Sequence, residues 1–317
     1  METRITIDDC LDRIDNLHSS PEVALRAVKI LQDDDCEVAE ISSCLESDPA
    51  LSASILRLVN SSYYGVSKQI ASLQQAIALL GVRTLRLTVL GFGILDSMSR
   101  GTPRDLYRAF WKRAITIASA SSLLAEVRRE VNLDAAFTSG LMADLGVLLM
   151  AQSLRSEYPD VYQSHEHGAD LISAEFDRFG FTHADCGARL LQKWNLPEEL
   201  VIAVANHHDG VADDPLTTIV FLASRLADVL WTPASEELAE TQNLLTSQFG
   251  FDMDGFIDLV MNCKQRVDDT ADMFRVEASA SEMDTDTLLD RARNLYIRSA
   301  VEATIELDGI MDLANPL

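Results

Sequence analysis

Two lone charges on otherwise apolar helix faces are the first groups in this sequence that could do chemistry. Asp144 lies in a strongly helical run from Asp134 to Ser153, where Phe137, Leu141, Asp144 and Leu148 share one face. Arg113 is the only charge on a face shared with Leu106, Ala109, Ile117, Ala120 and Leu124, in a long helix predicted over 105–128. A carboxylate in a core stripe is costly unless neutralised, and arginine keeps its proton inside proteins, so the two are expected to pair. His183 opens one predicted helix, His207 and His208 close another, and Asp228 follows Leu222, Leu226 and Ala227 on a third. Imidazole and carboxylate are ligands for divalent ions and carriers of protons. His165 and His167 form a His-x-His in a polar stretch, 156–168, without an adjacent Cys or a third His, and read as surface residues. Gly250-Phe251-Asp252-Met253-Asp254-Gly255 faintly resembles a calcium loop but lacks the acid required near Met261.

The elements that must position these groups read as helices throughout. A short amphipathic segment covers 8–17, and Ser20-Pro21 reads as N-cap and first turn of a helix reaching Gln32. Further helices are predicted over 37–46, 48–59, 72–80 and 82–98, with a Ser72-to-Gln75 capping box and Gly81 as a stop. Asn60 reads as the cap of a helix end, with Tyr63 and Tyr64 packing beside it. Gly101-Thr102-Pro103 marks a break. After the helices at 105–128 and 134–153 come 183–194, one started by Pro197 with Val201, Ile202, Ala205 and His208 inward, and 217–230. Trp231-Thr232-Pro233 is a second break, followed by acidic helices at 236–250, 252–280 and 284–308. The boundaries give an N-terminal helical subdomain over 1–100, a second helical subdomain over 101–232, and an acidic helical C-terminal extension over 233–317 packed on the second.

Composition narrows the function classes. With 317 residues, 47% hydrophobic, and only 14 Gly and 8 Pro, the chain suits a large all-α core. A net charge of −24 repels nucleic acid and anionic membranes, so neither is an expected partner. Five cysteines, Cys10, Cys36, Cys44, Cys186 and Cys263, show no CxxC and suit free thiols in a reducing cytoplasm. No signal-peptide core and no uncharged stretch of about 20 apolar residues is evident, so no membrane insertion is expected.

Gly140-Leu141-Met142-Ala143-Asp144-Leu145-Gly146 resembles the Gly-Leu-Leu-His-Asp-Ile-Gly signature of HDOD domains, the non-enzymatic relatives of the HD metal phosphohydrolases. Agreement extends, in order, to Ser47-Asp48-Pro49-Ala50-Leu51, Leu58 to Gly65, Ala76 to Gly81, His183 to Ala188, Trp194-Asn195-Leu196-Pro197 and His207-His208. The resemblance runs from about Ser20 to Asp228. It implies a multi-helical HDOD-type fold that gathers Arg113, Ala143, Asp144, His183, His207, His208 and Asp228 into a remnant HD pocket.

A working HD site uses histidines and aspartates to hold one or two divalent ions that activate water against a phosphoester. Here Ala143 offers no ligand atom, and Arg113 stands where a first ligand His is expected. Arg113 is therefore expected to replace the metal's charge, with Asp144 its partner, no metal, no cofactor and no catalytic residue. The resemblance implies a bacterial regulatory module that binds a protein partner in a signalling pathway, cyclic-dinucleotide pathways among them. Two other readings stay open: a phosphohydrolase or phosphodiesterase with an altered one-metal site, and a sensor that holds a nucleotide without cleaving it.

Overall fold

The computed structural model describes residues 5–17, 22–31, 36–60, 64, 66, 69–99, 102–274 and 279–298. The Ser20-Pro21 cap, Tyr63, Gly101 and the part of the expected 284–308 helix beyond 298 lie outside them. Among the described residues all regular structure is helical. The first part runs α1 (Ile7–Leu17), α2 (Glu22–Ile30), α3 (Val38–Glu46), α4 (Pro49–Val59) and α5 (Leu73–Ser99). Gly81 sits inside α5 at φ 73°, ψ 166°, so the two predicted helices meet there across a kink. Asn60 does more than cap α4. Its amide donates to the carbonyls of Leu56 and Ile70, and its oxygen accepts from the Ile70 N–H at 2.7 Å, closing the connection to α5.

The central layer follows as α6 (Arg104–Val127), α7 (Leu133–Met142), α8 (Leu145–Ser153), α9 (Tyr158–Ser164), α10 (Ala169–Phe179), α11 (His183–Lys193), α12 (Glu198–Ala205) and α13 (Pro215–Trp231). Several are bounded by local chemistry. Asn132 accepts from Ala135 N at the start of α7, a Thr182–Asp185 capping box opens α11, and Asp214 with Pro215 opens α13. α10 ends on Gly180 in the left-handed conformation. Pro103 caps α6 at the expected break.

The sequence reading needs three corrections here. The continuous helix expected over 134–153 is two helices, because the backbone turns at Ala143 and Asp144. A close tertiary contact accompanies that turn. An added Cβ on Gly146 would lie 1.8 Å from the His183 carbonyl oxygen, so α8 starts in backbone contact with α11. α9 occupies part of the stretch expected to be polar loop, and α10 forms where no helix is expected. Ile202 is 41% exposed rather than inward, and His208 lies past the end of α12.

α14 (Leu238–Phe249), α15 (Met253–Phe274), a 3-10 turn (Ala280–Glu282) and a last helix, 285–298, complete the described chain. α15 packs on α6, and Arg108 and Lys112 of α6 both pair with Glu282. Asp252, from the stretch resembling a calcium loop, accepts from Gly255 N as a helix cap. α1 packs on α8 and α11, where Arg13 donates to the Ser153 carbonyl at 2.8 Å. The run Leu133–Ser153 is long and apolar enough to cross a membrane, but it is mostly buried in this fold and broken at Asp144.

Candidate functional site

The centre of the pocket is the turn between α7 and α8. α7 can lie tightly on α6 because Gly140 has no side chain; a Cβ there would meet the Ile117 carbonyl and Ser121 Oγ within 2.8 Å. This approach brings the middle of α6 over the turn. Arg113 Nε donates to Asp144 Oδ2 at 2.8 Å, its Nη1 to Asp228 Oδ1, and its Nη2 to Ser224 Oγ at 3.1 Å. One guanidinium thus ties α6, the α7–α8 turn and α13 together, and all three charged residues are at most 5% exposed. Burial alone would raise the Asp144 carboxyl, but Arg113, followed by the adjacent His183 and His207 rings, outweighs it and holds the group well below the usual carboxylate range.

The other Asp144 oxygen faces the histidines. Oδ1 lies 3.3 Å from His207 Nε2 and 3.5 Å from His183 Nε2. His183 Nε2 is in turn 3.3 Å from His207 Nε2 and 3.2 Å from His208 Nε2. Every residue expected at the site therefore meets here: Arg113, Asp144, His183, His207, His208 and Asp228, with Ala143 fully buried beside them. Burial lowers His207, and lowers His208 far below the ordinary range with the neighbouring histidines and Arg113 adding to it. His183 is the exception: burial opposes its charge, but Glu175 and Asp144 together push it up to about 10.

Five further residues complete the pocket. Glu175 of α10 binds His183, Tyr158 binds Glu175, and Ser224 binds Arg113. Tyr162 and His167 pack edge to face, with ring centroids 4.9 Å apart. Burial, then Arg113, pushes His167 down to about 3. His165 turns away, with its Nδ1 2.9 Å from the Val161 carbonyl. A signal for Glu175 was present in the sequence: Leu171, Glu175 and Phe179 recur at a spacing of four, and all three are buried.

The resemblance to the HD metal phosphohydrolases implies a divalent ion, and the donor chemistry can be compared with one. Asp144, His183, His207 and His208 each offer a ligand atom, all within 4.8 Å of one another. Four of the six separations among them, 3.2–3.5 Å, are near the edge of a tetrahedral shell, about 3.3 Å for bonds of roughly 2.0–2.1 Å, so His208 would have to shift to close the shell. His207 Nδ1 is 2.7 Å from the Val204 carbonyl, so in the neutral ring Nε2 carries a lone pair toward Asp144 Oδ1. Two facing acceptors need a proton or a cation between them. Charge points the same way. Asp144, Asp228 and Glu175 are buried with Arg113 and the raised His183 as counter-charges, and one divalent ion that displaced the His183 proton would bring the sum to zero. The histidine half therefore fits one ion, whereas Arg113 fills the half between Asp144 and Asp228. An ion held among the histidines would act as a Lewis acid on water or phosphate only through a position that these four donors leave open.

Comparison with known proteins agrees with the helical fold. The HDOD domain family model matches residues 17–210. An uncharacterized protein of Treponema pallidum is 26% identical over 212 residues, 62% of this chain, and the chain spans 39% of that relative's length. Among solved structures, a protein of Shewanella amazonensis named as a candidate phosphohydrolase superposes with a TM-score of 0.64 at 23% identity, covering 84% of this chain and 97% of its own. One of Marinobacter aquaeolei named as a candidate signal transduction protein superposes with a TM-score of 0.59 at 22% identity, covering 80% of this chain and 59% of its own. With the pocket, the helical architecture and the family match over more than half of its length in agreement, the chain belongs to the HDOD domain family.

Proposed function

We propose that this chain is a regulatory module that works by binding rather than by turnover. The observation that carries this is Arg113, whose guanidinium occupies the space between Asp144 and Asp228 with a fixed charge. A second ion cannot share that space, and two-ion clamping of a phosphoester is lost with it. The name of the Marinobacter aquaeolei neighbour supports a signalling role. The reading assigns the protein to the cytoplasm, with a protein partner in a signalling pathway and a pocket that responds to a small ligand, a cyclic dinucleotide among the candidates. It also assigns the acidic C-terminal extension to the surface of the second helical unit.

Expected results are no hydrolysis of generic phosphomonoesters or phosphodiesters with added manganese or zinc, and co-purification of a protein partner from the native host. Steady turnover abolished by Asp144→Asn would overturn the reading.

The donor spacing favours a second reading, a one-ion site made by Asp144, His183, His207 and His208. It is compatible with a non-catalytic module if the ion is a structural or sensed ligand. It becomes an enzyme only if the metal-loaded protein hydrolyses phosphoesters.

A further inference from the structure

The residue that decides where His183 points lies outside the donor set. Glu175 is fully buried on α10. Its Oε1 accepts from the Tyr158 hydroxyl at 2.6 Å, and its Oε2 from the His183 backbone N–H at 2.8 Å. His183 Nδ1 lies 3.0 and 2.9 Å from the two oxygens. One carboxylate thus grips His183 by main chain and ring at once. With Nδ1 held on that side, the opposite ring nitrogen is directed at Asp144 Oδ1, His207 Nε2 and His208 Nε2. Tyr158, also fully buried, spends its hydroxyl on Glu175.

We infer that Glu175, held by Tyr158, is the positioning residue of this pocket, keeping His183 Nε2 in a donor set for one divalent transition-metal ion. The inference rests on the one-ion reading. A carboxylate on the far nitrogen of a ligand imidazole fixes its tautomer and ring angle, and losing such a partner weakens metal binding by about 10–100-fold. Three nitrogens and one oxygen suit zinc or cobalt better than magnesium.

The test uses the full chain, stripped with chelator, dialysed and titrated with cobalt(II) while visible absorption is followed. The unmodified protein is expected to take up one equivalent with the intense band of a four-coordinate site. Glu175→Gln keeps an oxygen for both His183 bonds and can donate its amide to Tyr158, so cobalt affinity should stay within about tenfold. Glu175→Ala should lose about 100-fold and change the band. In parallel, ring NMR of histidine-labelled, metal-free protein should show a slowly exchanging His183 Nδ1–H in the unmodified chain and in Glu175→Gln, and none in Glu175→Ala.

Glu175→Ala that binds cobalt like the unmodified chain overturns the positioning role and leaves the ion site standing. No cobalt uptake by the unmodified chain overturns the one-ion reading and with it the inference as stated, even if the NMR contrast persists. Should Glu175→Ala fail to fold, Tyr158→Phe removes one supporting bond at nearly constant volume. A several-fold affinity loss is then expected, and an unchanged affinity counts against Tyr158 and Glu175 alike.

Discussion

Arg113 and Asp144 meet edge to edge, Nε to Oδ2 at 2.8 Å, at the point where α7 gives way to α8. The pairing expected from two lone charges on apolar faces is therefore a contact, and Asp228 shares the same guanidinium.

Removing that guanidinium strands two buried carboxylates. Arg113→Ala is expected to cost roughly 3–5 kcal/mol in urea unfolding. Arg113→Met with Asp144→Leu should cost less than the sum of the single changes, because a neighbouring pair is not additive. A loss below about 1 kcal/mol for Arg113→Ala would mean the pair is solvated and matters little.

The missing ligands can be put back. Arg113→His with Ala143→His is expected to raise bound manganese or zinc by one equivalent over the unmodified protein, measured by elemental analysis after chelator-free purification. If the double variant gains nothing, the half of the pocket now filled by Arg113 has changed in shape as well as in charge.

Acid should destabilise this protein through His167, which is partly buried and packed on Tyr162. Its folded value of about 3 lies below the unfolded one, near 6.5, so the unfolded chain binds the extra proton. Stability is then complete above about 6.5 and declines as the pH falls toward about 3. Arg113 and His183 push the same way and Asp144 opposes them. His167→Asn should flatten the slope of unfolding free energy against pH by up to about 1.4 kcal/mol per pH unit. Equal slopes in the two proteins would exclude His167 as the source.

Asn60→Ala deletes three hydrogen bonds, one back to Leu56 in α4 and two that join the end of α4 to Ile70. About 1–3 kcal/mol of stability should go with them, since the Ile70 amide loses its acceptor. Hydrogen exchange at that amide is the direct readout, and unchanged protection would show that the connection holds itself.

The helices and the six expected pocket residues were legible because each amphipathic run carries its own period and most carry their own caps. The turn at Ala143 and Asp144 was not, since nothing local breaks the helix there. It accompanies the seating of Gly146 against the His183 carbonyl, a contact between residues far apart in sequence. Glu175 was missed for a different reason. Its helix faces solvent on most sides, and the short stripe of Leu171, Glu175 and Phe179 is a weak signal beside the more apolar runs around it. Ser224 and Tyr158 are ordinary core-edge residues until their partners are known.

Arg113 on α6, Asp144 between α7 and α8, Glu175 on α10 and Asp228 on α13 are each a buried charge on a helix whose other buried side chains are uncharged. Sliding or rotating any one of these helices by a single residue would drive its charge into apolar neighbours, at a cost of several kcal/mol. The four charges thus work as a combination lock for helix register. Compact misfolds that bury the same apolar area are rejected because their charges do not meet. Sequence drift at these four positions would be resisted even in a descendant that had lost every ligand.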